Sequence, residues 1–218
     1  MTVSSSGPEV FEEPDPDDPP PRESALRSFV EWTGVIVGAV VVALLIKTFV
    51  LQAFYIPSGS MVPTLMGGPG VPTGDRVLVN KLSYRLHDVN RGDVVVFDRP
   101  PLLEAGPDVD QLVKRVIGLP GESITFGPTD HRVYVNGQPL DEPWLMPGVP
   151  TLVRDQPAAY PDLCTAEDPC VVPEGSVWVM GDNRTASEDS RYFGPISQDL
   201  IVGRAFVIVW PFNRLGGL

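Results

Sequence analysis

Between Glu31 and Lys47 lie fifteen uncharged residues, "WTGVIVGAVVVALLI", and a second apolar run, "TFVLQAFYIP", follows directly. Fifteen residues alone fall short of the roughly 20 needed to cross the hydrocarbon of a bilayer. Lys47 can snorkel to the interface, so a helix from about Phe29 to Ala53 becomes long enough, with Trp32 and Tyr55 as interfacial anchors. A buried core helix is the alternative reading of such a run. A cleavable secretory signal fits worse, because the preceding segment is long and acidic and no small-residue cleavage site follows. The pattern predicts one uncleaved span.

Past the span the apolar runs become short and rich in β-branched residues. They are "RVLVN" from Arg76, "DVVVF" from Asp93, "LVKRVIG" from Leu112, "SITF" from Ser123, "RVYVNG" from Arg132, "SVWVMGD" from Ser176 and "AFVIVW" from Ala205. Turn residues separate them, and no amphipathic helix of comparable strength lies among them. With 21 glycines and 25 prolines in 218 residues, the chain has the punctuation of many short strands, so mainly β structure is expected. Asn136-Gly137 marks a two-residue hairpin, its return strand weakened by Pro139. The stretch from Pro139 to Pro173, rich in proline and acid, reads as a long excursion. No internal repeat is present.

The net charge of −12 is unevenly spread. Residues 1–31 carry eight acids and two arginines, and the opening "SSSGPEVFEEPDPDDPPPRES" has too few apolar residues to offset its ordering entropy, so a disordered tail is expected. No basic stripe suggests nucleic acid. Arg22 and Arg27 precede the span while Lys47, Arg76, Lys81 and Arg85 follow it, so charge bias leaves the orientation open. Cys164 and Cys170, the two cysteines of the chain, stand in "CTAEDPC", a spacing that can close a small disulfide in an oxidising compartment; free thiols are the alternative. A metal site would need further ligands, and His87 and His131 are both far away in sequence.

Ser58 and Ser60 lie between Pro57 and Pro63 in "IPSGSMVPTL". A serine in such a turn ordinarily serves local hydrogen bonding, and one that acts as nucleophile needs a base. The motif is not G-x-S-x-G, and both histidines sit in polar, turn-like surroundings. A lysine can act instead if burial lowers its pKa. Of the three lysines, Lys47 belongs to the span, Lys81 ends a strand beside polar residues, and Lys114 shares a strand face with Leu112 and Val116. Taken alone, Lys114 reads rather as a charged guard on an edge strand. A third stretch, "MGDNRTASEDSRYFG", taken alone reads as a solvated loop with internal Asp-Arg pairs.

Together, and in this order, "IPSGSMVPTL", "RGDVVVFDRP", "LVKRVIGLPGE", "MGDNRTASEDSRYFG" and "VGRAFVIVWPFNRLG" resemble the blocks of the bacterial type I signal peptidases. These are membrane-anchored serine-lysine proteases that remove signal peptides from secreted proteins. The resemblance implies Ser60 as nucleophile and Lys114 as general base. It implies that the Ser58 hydroxyl joins the Ser60 N–H in an oxyanion hole and that Ser187 orients the lysine. Arg115, Asp182, Asp189 and Arg191 match positions that brace the site through ion pairs, and Phe54, Ile56, Met61 and Val113 match positions lining shallow substrate pockets. It further implies a largely antiparallel β catalytic part with an apolar surface meeting the membrane, no cofactor or metal, and a monomer. The layout expected is a cytoplasmic tail (1–28), a transmembrane helix (29–53) and an extracytoplasmic catalytic domain (54–218) carrying the excursion at about 139–173. Its partners would be the signal peptides of preproteins and the lipid bilayer.

Ser60 stands about seven residues past the expected end of the span, within roughly 25 Å of the bilayer even along a fully extended chain. The sequence departs from the family pattern in having one span where some members have two, in Asp98, and in Thr185-Ala186. None of these touches Ser60 or Lys114. A self-cleaving repressor with the same dyad would need a helix-turn-helix and no span. A tethered binding module with a relic site would be expected to lose Ser60 or Lys114, and both are present.

Overall fold

The computed structural model describes residues 22–68, 70–71, 73–101, 110–148, 151 and 164–218. The acidic tail before Arg22 and the part of the excursion at 149–150 and 152–163 lie outside the described residues. The chain divides into two compact units, Met1–Leu45 and Ile46–Leu218.

Helix α1 covers Arg22–Phe49. Within it Leu26–Lys47 is long and apolar enough to cross a membrane by length and composition, about 33 Å at 1.5 Å per residue. Its apolar side chains, Phe29, Trp32, Val35, Val40 and Leu44 among them, are exposed around the whole circumference. A helix that is apolar all round is suited to lipid rather than to packing on one face.

The helix stops at Phe49, not near Ala53 as the apolar run suggested. Leu51–Tyr55 is instead strand β1, pairing antiparallel with β2 (Arg76–Asn80) from Leu51↔Asn80 to Tyr55↔Arg76. A short apolar run does not by itself separate strand from helix. Pro57 also keeps Ile56 extended, which favours the strand.

The remaining elements follow as α2 (Ser83–Leu86), β3 (Val94–Asp98), β4 (Gln111–Gly118), β5 (Ser123–Phe126), β6 (Val133–Val135), β7 (Gln138–Pro139), β8 (Cys170–Val171), β9 (Ser176–Met180), α3 (Ser190–Phe193), β10 (Ile196–Ser197), β11 (Ile201–Trp210) and β12 (Gly216–Gly217). One antiparallel sheet runs β1-β2-β11-β3-β4-β9-β10, with β12 added on β11; a smaller one runs β7-β6-β5-β8. The mainly β, antiparallel architecture is the one expected. Asn136 and Gly137 both have positive φ, 51° and 75°, as the two-residue turn between β6 and β7 requires.

Strand β3, "VVVFD", explains why its apolar run is unbroken. Val94 and Val96 pack with Ile56, Met61, Leu65, Val77 and Ile208, while Val95 and Phe97 pack with Val116, Val179, Phe193 and Ile196. A strand buried on both faces needs no polar alternation. Each such side chain contributes about 1.5–3 kcal/mol on burial. A third cluster, built on Ile117, Ile124, Val133, Val172 and Trp178, joins the smaller sheet to β4 and β9. Cys164 and Cys170 form a disulfide beside it.

Candidate active site

The segment from Ile56 to Asp75 is tied at its base. Ile56 N–H donates to Asp75 O at 2.9 Å, Asp75 N–H to Met66 O at 2.8 Å, and Met66 N–H to the Asp75 carboxylate at 2.8 Å. Arg214 holds that carboxylate from the other side at 2.8 Å. Inside the tie, Ser58 is extended and Gly59–Met61 forms a single 3-10 turn. Met61 and Leu65 drop into the core, which fixes the turn against the sheet. Ser60 is therefore a buried hydroxyl on a preformed turn, 8% exposed.

Lys114 reaches it from β4, 54 positions along the chain. The ammonium donates to Ser60 Oγ at 2.8 Å, and Ser58 Oγ lies 3.2 Å from the same oxygen. Lys114 is only 3% exposed. Its pKa is lowered to about 8, chiefly because burial disfavours the ammonium; Asp189 opposes that shift and Arg191 reinforces it. The two side chains open on a cleft of about 270 Å³ whose lining includes Phe54, Ile56, Met61 and Val113. Both histidines are exposed and neither lines that cleft.

The charged residues expected around the site form two closed pairs. Arg115 donates to both Asp182 carboxylate oxygens, at 2.9 and 2.7 Å, and also to Gly92 O and Thr64 Oγ1. The Trp144 ring lies over its guanidinium, 4.7 Å from ring centroid to Cζ. Arg191 donates to both oxygens of Asp189 at 2.8 Å. Burial would raise the Asp189 pKa, but the guanidinium outweighs it and the net shift is downward. Ser187 is buried, and its hydroxyl has no hydrogen-bond partner among the described residues. It lies against Gly181, where an added Cβ would stand 2.2 Å from Ser187 Oγ and 2.4 Å from Ser60 O.

Three neighbours of the site had no expected role: Thr64, Gly181 and Asn183. Asn183 donates its backbone N–H to Ser60 O and its side-chain amide to Gly59 O, both at 3.0 Å. The sequence signal for them was their presence inside the two blocks that also hold Ser60 and Asp182.

The family model for signal peptidases, peptidase S26, matches residues 29–210. The chain belongs to the signal peptidase S26 family. Signal peptidase I of Leptolyngbya laminosa is 39% identical over 212 residues, covering 94% of this chain and 94% of its own length. Signal peptidase I of Mycobacterium tuberculosis is 38% identical over 237 residues, covering 92% and 78%. Signal peptidase I S of Bacillus subtilis is 35% identical over 193 residues, covering 88% and 95%. As a member of the S26 family the chain is an enzyme, a serine peptidase of the signal peptidase I kind.

Proposed function

We propose that this S26 peptidase is anchored in the membrane by α1 and cleaves signal peptides from secreted preproteins, with Ser60 as nucleophile and Lys114 as general base. The 2.8 Å contact between Lys114 Nζ and Ser60 Oγ is the observation that carries the reading. A neutral amine at that distance takes the hydroxyl proton as Ser60 Oγ attacks the scissile carbonyl carbon. The carbonyl oxygen becomes an oxyanion, held by the Ser60 N–H and the Ser58 hydroxyl. The C–N bond then breaks, and the protonated Lys114 gives its proton to the departing amine. A water, deprotonated by the neutral lysine, attacks the acyl ester; the ester C–O bond breaks, the lysine returns the proton to Ser60 Oγ, and the signal peptide leaves with a new carboxylate. Ser187, whose buried hydroxyl has no partner among the described residues, is suited to steady the amine as it changes protonation. The Arg115–Asp182 and Arg191–Asp189 pairs brace the segments beside it.

The substrate would lie extended in the cleft. Strand β4 pairs with β9 only from Arg115 onward, which leaves the edge of Gln111–Lys114 available to an added strand. Phe54, Ile56, Met61 and Val113 make the cleft largely apolar, which suits small residues before the cut. We place the N-terminal tail in the cytoplasm and the β unit outside, where an oxidising compartment would suit the Cys164–Cys170 bond.

The test uses the detergent-solubilised full chain with a preprotein and with the same preprotein enlarged at the residue before the cut. Product from the first alone, lost in Ser60→Ala, is expected; Ser60→Ala activity above about a hundredth of the original would exclude a nucleophilic role, whose loss costs several orders of magnitude.

A further inference from the structure

We infer that Asn183 is a positioning residue for the oxyanion, holding the peptide group whose N–H meets the developing charge; this rests on the reading of Ser60 as nucleophile. Two carbonyls of the nucleophile's turn end on Asn183: Gly59 O on its side-chain amide and Ser60 O on its backbone N–H, each at 3.0 Å. Thr185 Oγ1 donates to Asn183 Oδ1 at 3.2 Å, which fixes the amide nitrogen as the end that faces Gly59.

The consequence follows from peptide geometry. Gly59 C=O and Ser60 N–H belong to one planar trans peptide and point in opposite directions. Anchoring the carbonyl therefore sets the direction of the N–H. Val62 N–H also donates to Gly59 O, at 3.2 Å, so the plane is gripped by two donors from different parts of the chain. A donor on the carbonyl also polarises the peptide and strengthens its N–H as a donor in turn. Asn183 thus acts on the oxyanion without touching substrate.

The experiment compares the full chain with Asn183→Ala, Asn183→Asp and Thr185→Val, using three probes. These are a peptide spanning a cleavage junction, its aldehyde, which adds Ser60 Oγ to give a hemiacetal with oxygen at the oxyanion position, and the N-terminal product peptide. In Asn183→Ala, kcat should fall about 10- to 100-fold, just below the loss of a whole oxyanion donor. KM and product-peptide affinity should stay within about threefold, and aldehyde affinity should fall in step with kcat. Asn183→Asp keeps the shape but replaces the donor by an acceptor, so its loss should be at least as large. Thr185→Val should show the same split, more mildly.

An unchanged kcat in Asn183→Ala would overturn the inference. So would a parallel decline of kcat, product affinity and thermal stability, which is what a mere loop staple predicts. Should Asn183→Ala not fold, the kcat-against-KM split of Thr185→Val decides instead, and its absence counts against the inference. Ser60→Ala, run beside them, separates the two readings: turnover in that variant sinks the nucleophile, whereas turnover lost there but intact in Asn183→Ala sinks only the positioning role.

Discussion

Lys114, Arg115 and Arg191 are all buried, and they are held in two different ways. Arg115 and Arg191 each close a two-bonded pair with a carboxylate, with side chains 7% and 3% exposed. Lys114, equally buried, contacts a serine hydroxyl and has no carboxylate within salt-bridge distance among the described residues. In the pairs each guanidinium has exchanged water for an anion. The lysine has lost water and gained only a hydroxyl, so its proton is held less tightly and its pKa falls to about 8. One region pairs each cation with an anion; the other gives its cation a hydroxyl.

The strongest way to break that comparison is to make the lysine resemble its neighbours. A guanidinium stays protonated at any workable pH, so Lys114→Arg should be as inactive as Lys114→Ala, both down by at least about 10³-fold in kcat. Turnover by the arginine variant in a preprotein assay would mean that deprotonation at position 114 is not needed.

The reverse manoeuvre makes an arginine resemble the lysine. Asp182→Ala leaves Arg115 buried with a hydroxyl, a backbone carbonyl and the Trp144 face but no anion. Stranding a buried charge costs about 3–5 kcal/mol, read in denaturant unfolding of the solubilised chain. A loss below about 1 kcal/mol would show that the pair is not what makes burial of Arg115 tolerable.

A smaller change sharpens the contrast between the regions. The Asp189 carboxylate raises the Lys114 pKa, opposing burial, while Arg191 lowers it. Asp189→Asn removes the opposing charge and leaves the reinforcing one. The neutral amine then becomes available at lower pH, so the rising limb of kcat/KM should move to the acid side in whatever activity remains. A shift toward alkaline pH would reverse the assigned sign.

Much of this was legible before any coordinates. The runs at β2 to β6, β9 and β11 are rich in β-branched residues and bounded by turn residues, and each became a strand. β1 was not legible, because its five residues continue the apolar run of α1 and only pairing with β2 distinguishes them. Strands β8, β10 and β12 have two residues each, too few to carry a period, and β7, equally short, was announced by the Asn136-Gly137 turn before it. Nothing local says that β11, late in the chain, inserts between β2 and β3. The same holds in the site. Lys114 stood out as an amine on an apolar face, but its distance from Ser60 is a property of sheet order. Asn183 looked like one polar loop residue among several, since its grip on Gly59 exists only after residues 124 positions apart are brought together.

The smallest expected effect is the one that closes the comparison from outside. If the lysine alone supplies the titrating base, activity depends on its neutral fraction, which grows as pH rises through about 8. Below that value the ammonium holds the proton and the rate should fall about tenfold per pH unit; above it the rate should level off. A histidine base would place the limb nearer its ordinary value of about 6.5. The His87 ring bonds the neighbouring Asp88 carbonyl and packs edge-on against Tyr84, and His131 sits with φ 54° in a turn after β5. Neither lines the cleft that holds Ser60 and Lys114. His87→Ala and His131→Ala should therefore leave both the plateau rate and the position of the limb unchanged within about twofold in kcat/KM-against-pH curves. A limb that vanished or moved with either histidine would assign the titration to that ring, and the buried lysine would then be no more than a third structural cation.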